Sequence, residues 1–187
     1  MTMKKMGANF PVLPMPVTLV GSVVDGKVNF QTTAWVSRVQ LNPPLIAVEV
    51  NGKHHTAKGI RQNKTFSVNF PNTEMVEITD YCGIVSGSKV DKSSLFDVFY
   101  GAVETAPMIK SCPLTLECRV VEAPIEAAPH LVIGEIIESY VREDCLSDDK
   151  LDPLKADPLI LTSPDRHYWK LGKQVAKAFS VGKGFKG

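Results

Sequence analysis

Between Asn29 and Thr56 the chain sets two unlike strands on either side of a proline break, and that order leaves few folds open. The first run is polar and rich in hydroxyls, with Thr32, Thr33, Trp35 and Ser37 in extended sequence. Asn42-Pro43-Pro44 ends it, because proline lacks a ladder donor and biases its predecessor away from helix. Leu45 to Val50 follows as a short, apolar, β-branched strand of the kind buried in a barrel wall. A basic turn, Lys53-His54-His55-Thr56, closes the segment. Upstream, Val17 to Val24 reads as a strand, and Asp25-Gly26 turns it back through Lys27 to Gln31 as a hairpin.

The rest of the chain continues the pattern. His55 to Gln62 is a predicted short helix, with Lys58 and Arg61 late in it where cations suit the dipole. Thr65 to Phe70 is a strand. Thr73 to Tyr81 is a predicted helix: Asn72 serves as N-cap, Glu74 and Glu77 come early, and Met75, Val76, Ile78 and Tyr81 recur at helical spacing. Residues 83–107 mix Gly, Ser and charges with Leu95, Phe96, Phe99 and Tyr100, and read as a loop or lid with a short packed helix. Leu114 to Glu122 and His130 to Val141 are strands. Pro153 and Pro158 bar a long element from the acidic stretch 144–158. Short strands are expected at Leu159–Leu161 and Tyr168–Leu171, with a helical tail at Gly172–Phe179.

Many short strands and few long helices imply a mainly β fold, a closed or nearly closed β-barrel with peripheral short helices. The 187 residues are expected to form one domain, with a core at about 14–141 and a C-terminal extension at 142–187.

Several function classes drop out. A net charge of +1 gives no electrostatic ground for nucleic acid or a membrane surface as partner. The longest apolar runs are strand-length, short of the ~20 residues that cross a bilayer. The N-terminal stretch lacks the apolar core of an export signal, so cytoplasm is the expected location. Cys82, Cys112, Cys118 and Cys145 form no C-x-x-C pair and read as buried or free thiols. On an unbroken strand Cys112 and Cys118 would share a face. Gly182, Gly184 and Gly187 match a dinucleotide spacing, but no helix follows them. Adjacent His54 and His55 suit no single tetrahedral ion, so no metal site is expected. Ser86-Gly87 lacks the glycine two positions earlier that a hydrolase elbow needs.

What remains is a set of groups suited to a phosphorylated aromatic ligand. Small hydroxyls and backbone N–H groups take a phosphate, cations neutralise it, and a flat ring lies along a strand. Residues 86–92, Ser-Gly-Ser-Lys-Val-Asp-Lys, add a second hydroxyl and cation cluster. The same residues also suit an unliganded barrel strand and a solvated loop.

The order of the pieces narrows this. The P-x-P-V-T-L-V strand, the hairpin, N-x-x-T-x-A-W, N-P-P and the turn ending at Thr56 occur in sequence. Tyr81-Cys82-Gly83, Ser86-Gly87…Asp91-Lys92 and the H-x-x-x-G-E strand from His130 follow them. Over about Pro14 to Val141 the chain resembles the flavin reductase-like family. The 81–92 segment and the Gly172…Gly182 tail resemble its flavoredoxin and ferric-reductase-like branch.

The resemblance implies an FMN-binding split β-barrel, a homodimer with FMN near the interface, and an oxidoreductase. Electrons would pass from NAD(P)H or a redox protein through flavin to free flavin, a ferric complex or a protein. By the same resemblance, Asn29, Phe30, Gln31, Thr32, Thr33, Ala34 and Trp35 line the ring and its polar edge. Val50 and Asn51 belong to the same shell, while Lys53, His55 and Thr56 approach the phosphate. Ser86 and Lys92 add hydrogen bonds and charge, and His130 stands as the catalytic candidate near a nicotinamide or the open ring face. Phe30 and Gln31 replace smaller residues often found there and narrow access to the ring. Two alternatives stay open: an electron carrier without NAD(P)H oxidation, and a non-redox ligand-binding barrel.

Overall fold

The computed structural model describes residues 1–8, 12–122 and 131–185. A two-residue strand β1 (Met15–Pro16) leads into the hairpin of β2 (Thr18–Val24) and β3 (Lys27–Thr33). Both turn residues are left-handed, Asp25 at φ 50° and Gly26 at φ 79°, the geometry that fits the twist of paired strands. Next come β4 (Val36–Gln40), β5 (Leu45–Glu49), α1 (His55–Asn63) and β6 (Thr65–Phe70). A 3₁₀ turn at Thr73–Met75 opens onto α2 (Val76–Ile84), followed by β7 (Val98–Phe99) and β8 (Met108–Ile109). The long strands β9 (Leu114–Glu122) and β10 (Leu131–Val141) complete the main sheet. Beyond it lie β11 (Leu146–Ser147), β12 (Lys150–Leu151), α3 (Pro153–Ala156), β13 (Ile160–Thr162) and β14 (His167–Trp169).

Seven strands form one antiparallel sheet in the order β3-β2-β6-β9-β10-β5-β4. Its two edge strands, β3 and β4, are consecutive in sequence and separated by Ala34 and Trp35 alone. A flat sheet of this size would hold its edges about 29 Å apart. The link from Thr33 to Val36 spans at most about 11 Å. The sheet must therefore curl until its edges meet at that corner. Trp35 carbonyl accepts from Glu49 N–H at 2.9 Å there, and Thr33 Oγ1 donates to Glu49 Oε2 at 3.5 Å. The result is the half-barrel of a mainly β, split-barrel fold.

Curling gives the sheet an inner and an outer apolar face. Val20, Ile46, Val48, Phe66, Val68, Cys118 and Val132 meet inside, and α1 contributes Ala57 and Ile60 to the same cluster. On the outside of the β2–β3 hairpin, Leu19 and Phe30 pack with Cys82 of α2 and with Ile109 and Cys112. Leu95, Phe96 and Val98 cover this second cluster, Phe96 standing edge-on to Phe30 with ring centroids 5.1 Å apart. Strand β2 is buried on both faces, and its sequence, Thr-Leu-Val-Gly-Ser-Val-Val, carries no charge and does not alternate polar with apolar. A Cβ at Gly59 would strike the Val23 carbonyl and Ser22 Oγ, so glycine lets α1 lie directly on β2. The helix ends at Lys64, left-handed at φ 59°, whose N–H donates to Ile60 carbonyl at 2.9 Å.

The structure departs from the sequence reading in four places. Asn72 stands at the N-cap position but makes no cap bond, and its buried Oδ1 has no partner among the described residues. Residues 83–107 show no helix beyond the end of α2, because their apolar side chains act as a cover over the second cluster. Gly172–Phe179 is not helical, since it packs on nothing that would select a helix. Cys112 lies before β9 and in the outer cluster, whereas Cys118 faces the inner one. All four cysteines are free and buried. The 123–129 connection and His130 fall outside the described residues. No helix among the described residues is long and apolar enough to cross a membrane.

Gly59→Ala weighs helix propensity against close approach. Alanine favours the helix by about 1 kcal/mol, but overpacking against a backbone carbonyl costs about 1–3 kcal/mol. The urea midpoint is expected to fall. A higher midpoint would show room between α1 and β2.

Candidate functional site

Because β3 is an edge strand, one flank of its backbone has no ladder partner among the described residues. In its ladder with β2, Asn29 and Gln31 stand opposite Ser22 and Val20 and so share the inner face, while Phe30 and Thr32 share the outer one. Helix α1 begins on the inner side and α2 ends on the outer side. Where they flank the free edge of β3 they leave a cleft of about 200 Å³. Asn29, Gln31, Thr32, His54, His55 and Thr56 line it from β3 and α1. Cys82, residues 83–87 and Lys92 line it from the other side.

Hydrogen bonds fix these walls. Asn29 Nδ2 donates to Thr56 Oγ1 at 2.7 Å, tying β3 to the first turn of α1. His54 caps that helix through its carbonyl, which accepts from Ala57 N–H at 3.1 Å, and without a side-chain bond, so the first two N–H groups, of His55 and Thr56, are left for a ligand or water. Thr32 Oγ1 donates to the Thr79 carbonyl, stitching β3 to α2. A Cβ at Gly87 would overlap Asn29 Oδ1 and meet the His55 ring, so the 84–92 loop can close over Asn29 only with glycine there. Asp91 anchors the far end of that loop, 2.8 Å from Lys27 Nζ and accepting from Ser93 N–H. The hydrogen bonds from Lys27 and Ser93 hold its carboxyl well below the usual carboxylate range.

Lys92 is the unusual member. It is 2% exposed, and its ammonium donates to the carbonyls of Phe30 and Cys82, each at 2.9 Å. Three donors minus these two leave one for the cleft. No carboxylate pairs with it among the described residues, and no Asp or Glu lines the cleft. Burial pulls the Lys92 pKa below the ordinary lysine value, and nearby Cys82 partly restores it. Burial pushes the Cys82 thiol up, and Lys92 draws it back. Gln31 is 7% exposed, and its Oε1 has no hydrogen-bond partner among the described residues. Such a group carries a penalty of about 1–3 kcal/mol until a donor arrives.

Seven residues expected from sequence, Asn29, Gln31, Thr32, His55, Thr56, Ser86 and Lys92, come together here. The others stand elsewhere. Phe30 is buried in the outer cluster and Val50 in the inner one. Thr33 turns to Glu49, Ala34 is partly buried, and Trp35 is 65% exposed at the corner. Asn51 Oδ1 accepts from Lys53 N–H within the turn before α1, and Lys53 is exposed. His54, Cys82, Gly83, Ile84, Val85 and Gly87 also line the cleft without having been assigned to the site; His54 lies in the basic turn, Cys82, Gly83 and Gly87 lie in the 81–92 pattern, and Ile84 and Val85 fall inside it without a signal of their own.

Residues 10–168 match the family model described as flavin reductase like domain. The chain belongs to the flavin reductase-like family. A flavoredoxin structure from Methanosarcina acetivorans superposes with a TM-score of 0.91 at 50% identity, over 98% of both chains. A flavoredoxin of Desulfovibrio vulgaris (Miyazaki F) gives 0.90 at 34% identity, over 97% of this chain and 100% of that one. An uncharacterised protein of Archaeoglobus fulgidus is 33% identical over 143 residues, 74% of this chain and 78% of its own length. In this flavin reductase-like chain the cleft therefore lies in a split barrel shared with both flavoredoxins.

Gly87→Ala is expected to lift the 84–92 loop off Asn29. Easing local opening by about 1.4 kcal/mol makes trypsin cut after Lys89 roughly tenfold faster. Unchanged cleavage would show that the loop does not rest on Asn29.

Proposed function

We propose that the β3 cleft holds FMN and that the protein is an oxidoreductase passing electrons through that flavin. The observation that carries this is the buried, carboxylate-free Lys92 ammonium beside the unpartnered Gln31 oxygen. FMN offers what these groups lack: an anionic phosphate, carbonyl acceptors and an imide N–H donor. His55, Thr56 and Lys53 at the start of α1 take the phosphate. Lys92 and Ser86 add charge and hydrogen bonds, and Gln31 accepts from the ring. Asn29 holds Thr56 in place. Thr32, Ala34 and Trp35 offer the strand and corner along which a flat ring lies, with Thr33, Val50 and Asn51 bracing that corner from behind. Phe30 contributes its carbonyl through Lys92, its side chain being committed to the outer cluster.

Bound flavin supplies the hydride and single-electron chemistry. The chain binds it, orients it and sets the electrostatics around it. NAD(P)H or a redox protein is the proposed donor, with flavin, a ferric complex or a protein as acceptor, and His130 as the residue that positions a nicotinamide or supplies a proton. The active unit is a homodimer, supported by the unpaired outer edge of β4, where Trp35, Val39 and Leu41 are exposed. Four free, buried thiols suit a reducing compartment, and the cytoplasm is the proposed location. A second form, a protein-to-protein electron carrier, is favoured by the likeness to two flavoredoxins.

Absorbance of protein purified without added flavin separates these. Bands near ~370 and ~450 nm belong to the cofactor's conjugated ring. Anaerobic bleaching by NADH or NADPH identifies the reductase, and flavin that resists both identifies the carrier. A colourless protein that rejects added FMN sinks the oxidoreductase.

Lys92→Ala, checked for native circular dichroism, is expected to weaken FMN binding about 10–100-fold, the range for a hydrogen bond to a charged group. In the parent, FMN is expected to loosen as pH rises, starting below the ordinary lysine pKa of 10.5. The sign follows because deprotonation removes both the charge and a donor. Unchanged affinity in the variant would remove Lys92 from the site.

A further inference from the structure

Beyond β14, residues 171–185 are exposed along their whole length. Their backbone hydrogen bonds close on themselves, as in Val181 N–H to Lys177 carbonyl and Phe185 N–H to Gly182 carbonyl. Val175 and Phe179 are each 98% exposed, and Phe185 is 83% exposed. A solvated tail sheds large apolar side chains, yet this one keeps Leu171, Val175, Phe179, Val181 and Phe185. It also has defined local shape, with Phe179 left-handed at φ 57° and a 3₁₀ turn at Val181–Gly184.

The arm is also one-signed. Between Arg166 and Gly187 the sequence has no Asp or Glu, while Lys170, Lys173, Lys177, Lys183 and Lys186 punctuate it. The same chain carries the opposite sign on the β11–β12 hairpin. There Asp148 and Asp149 are left-handed at φ 49° and 57°, exposed, and without an ion pair among the described residues, beside exposed Glu143. An apolar surface waits as well, at Trp35, Val39 and Leu41 on the β4 edge.

The arm's own molecule leaves it uncovered, so its cover comes from another molecule. Both halves of the match, basic apolar arm and acidic turn with apolar edge, are on one chain. Two copies related by a two-fold axis satisfy them reciprocally. Two arms bring on the order of 1,000 Å² of apolar side-chain surface, the scale of a specific interface.

We propose that residues 171–185 are an exchanged arm that packs on a second copy of this chain, resting on the homodimer proposed above. Its lysines meet the acidic β11–β12 turn, and its apolar side chains cover the β4 edge.

The test is the mass of the full chain in solution by light scattering across a dilution series. The parent is expected to be a dimer. Val175→Asp with Phe179→Asp is expected to raise the dissociation constant at least about 100-fold. Both side chains are almost fully exposed on their own molecule, so circular dichroism is expected to stay native. Asp148→Lys with Asp149→Lys is expected to weaken the dimer about tenfold, and adding Lys173→Glu with Lys177→Glu to restore it. A monomeric parent, or an arm variant whose dimer is as tight as the parent's, overturns the proposal. So does an arm that binds acidic vesicles or another protein while the chain stays monomeric. Mass is read with or without flavin, so failure of the arm and failure of FMN binding are separate results.

Discussion

Ala34 and Trp35 impose the constraint on which the rest of the structure depends. They join strands at opposite edges of a seven-stranded sheet, and two residues reach across only if the sheet closes on itself. Closure creates an inside, which α1 fills, and an outside, which α2 and the 95–112 segment cover. It also leaves β3 as an edge gripped from both faces. The cleft is the seam where inner and outer packing meet along that edge. Its position follows from topology before any ligand is considered.

The seam is held by polar groups that the core would not otherwise keep. A buried ammonium costs free energy unless it is well paired, and among the described residues Lys92 has two carbonyls but no carboxylate. Gln31 leaves an acceptor in the same place without a partner among the described residues. Proteins depart from local consistency mainly at functional sites, and two such departures share one cleft here. Lys92 therefore ties α2 to β3 and places its ammonium in the wall of the cleft, where the proposed function has it meet a ligand.

Much of the fold was legible in the sequence, for reasons that can be named. Asp25-Gly26 fixes the β2–β3 hairpin through its turn geometry, and Pro43-Pro44 separates β4 from β5. Thr65–Phe70 and Leu114–Glu122 match their strands residue for residue. Features without a local signal were missed. The α2 helix starts at Val76 because a 3₁₀ turn takes the residues that carried the capping pattern. The arm at 172–179 has helical composition but no packing to select a helix. Strand parity separates Phe30 from the cleft: it lies between Asn29 and Gln31 in sequence and so faces the other way. The burial of Lys92 had no sequence signal, since a lysine beside an aspartate reads as surface.

The central claim is that the start of α1 and the loop opposite it recognise the phosphate end of a flavin. The most direct measurement compares the binding of FMN and riboflavin to the same protein. Both carry the same ring and differ by the phosphate. FMN is predicted to bind at least about 100-fold tighter, near 2.7 kcal/mol, and to lose that advantage as salt rises. Equal affinities, or a difference indifferent to salt, would contradict the account.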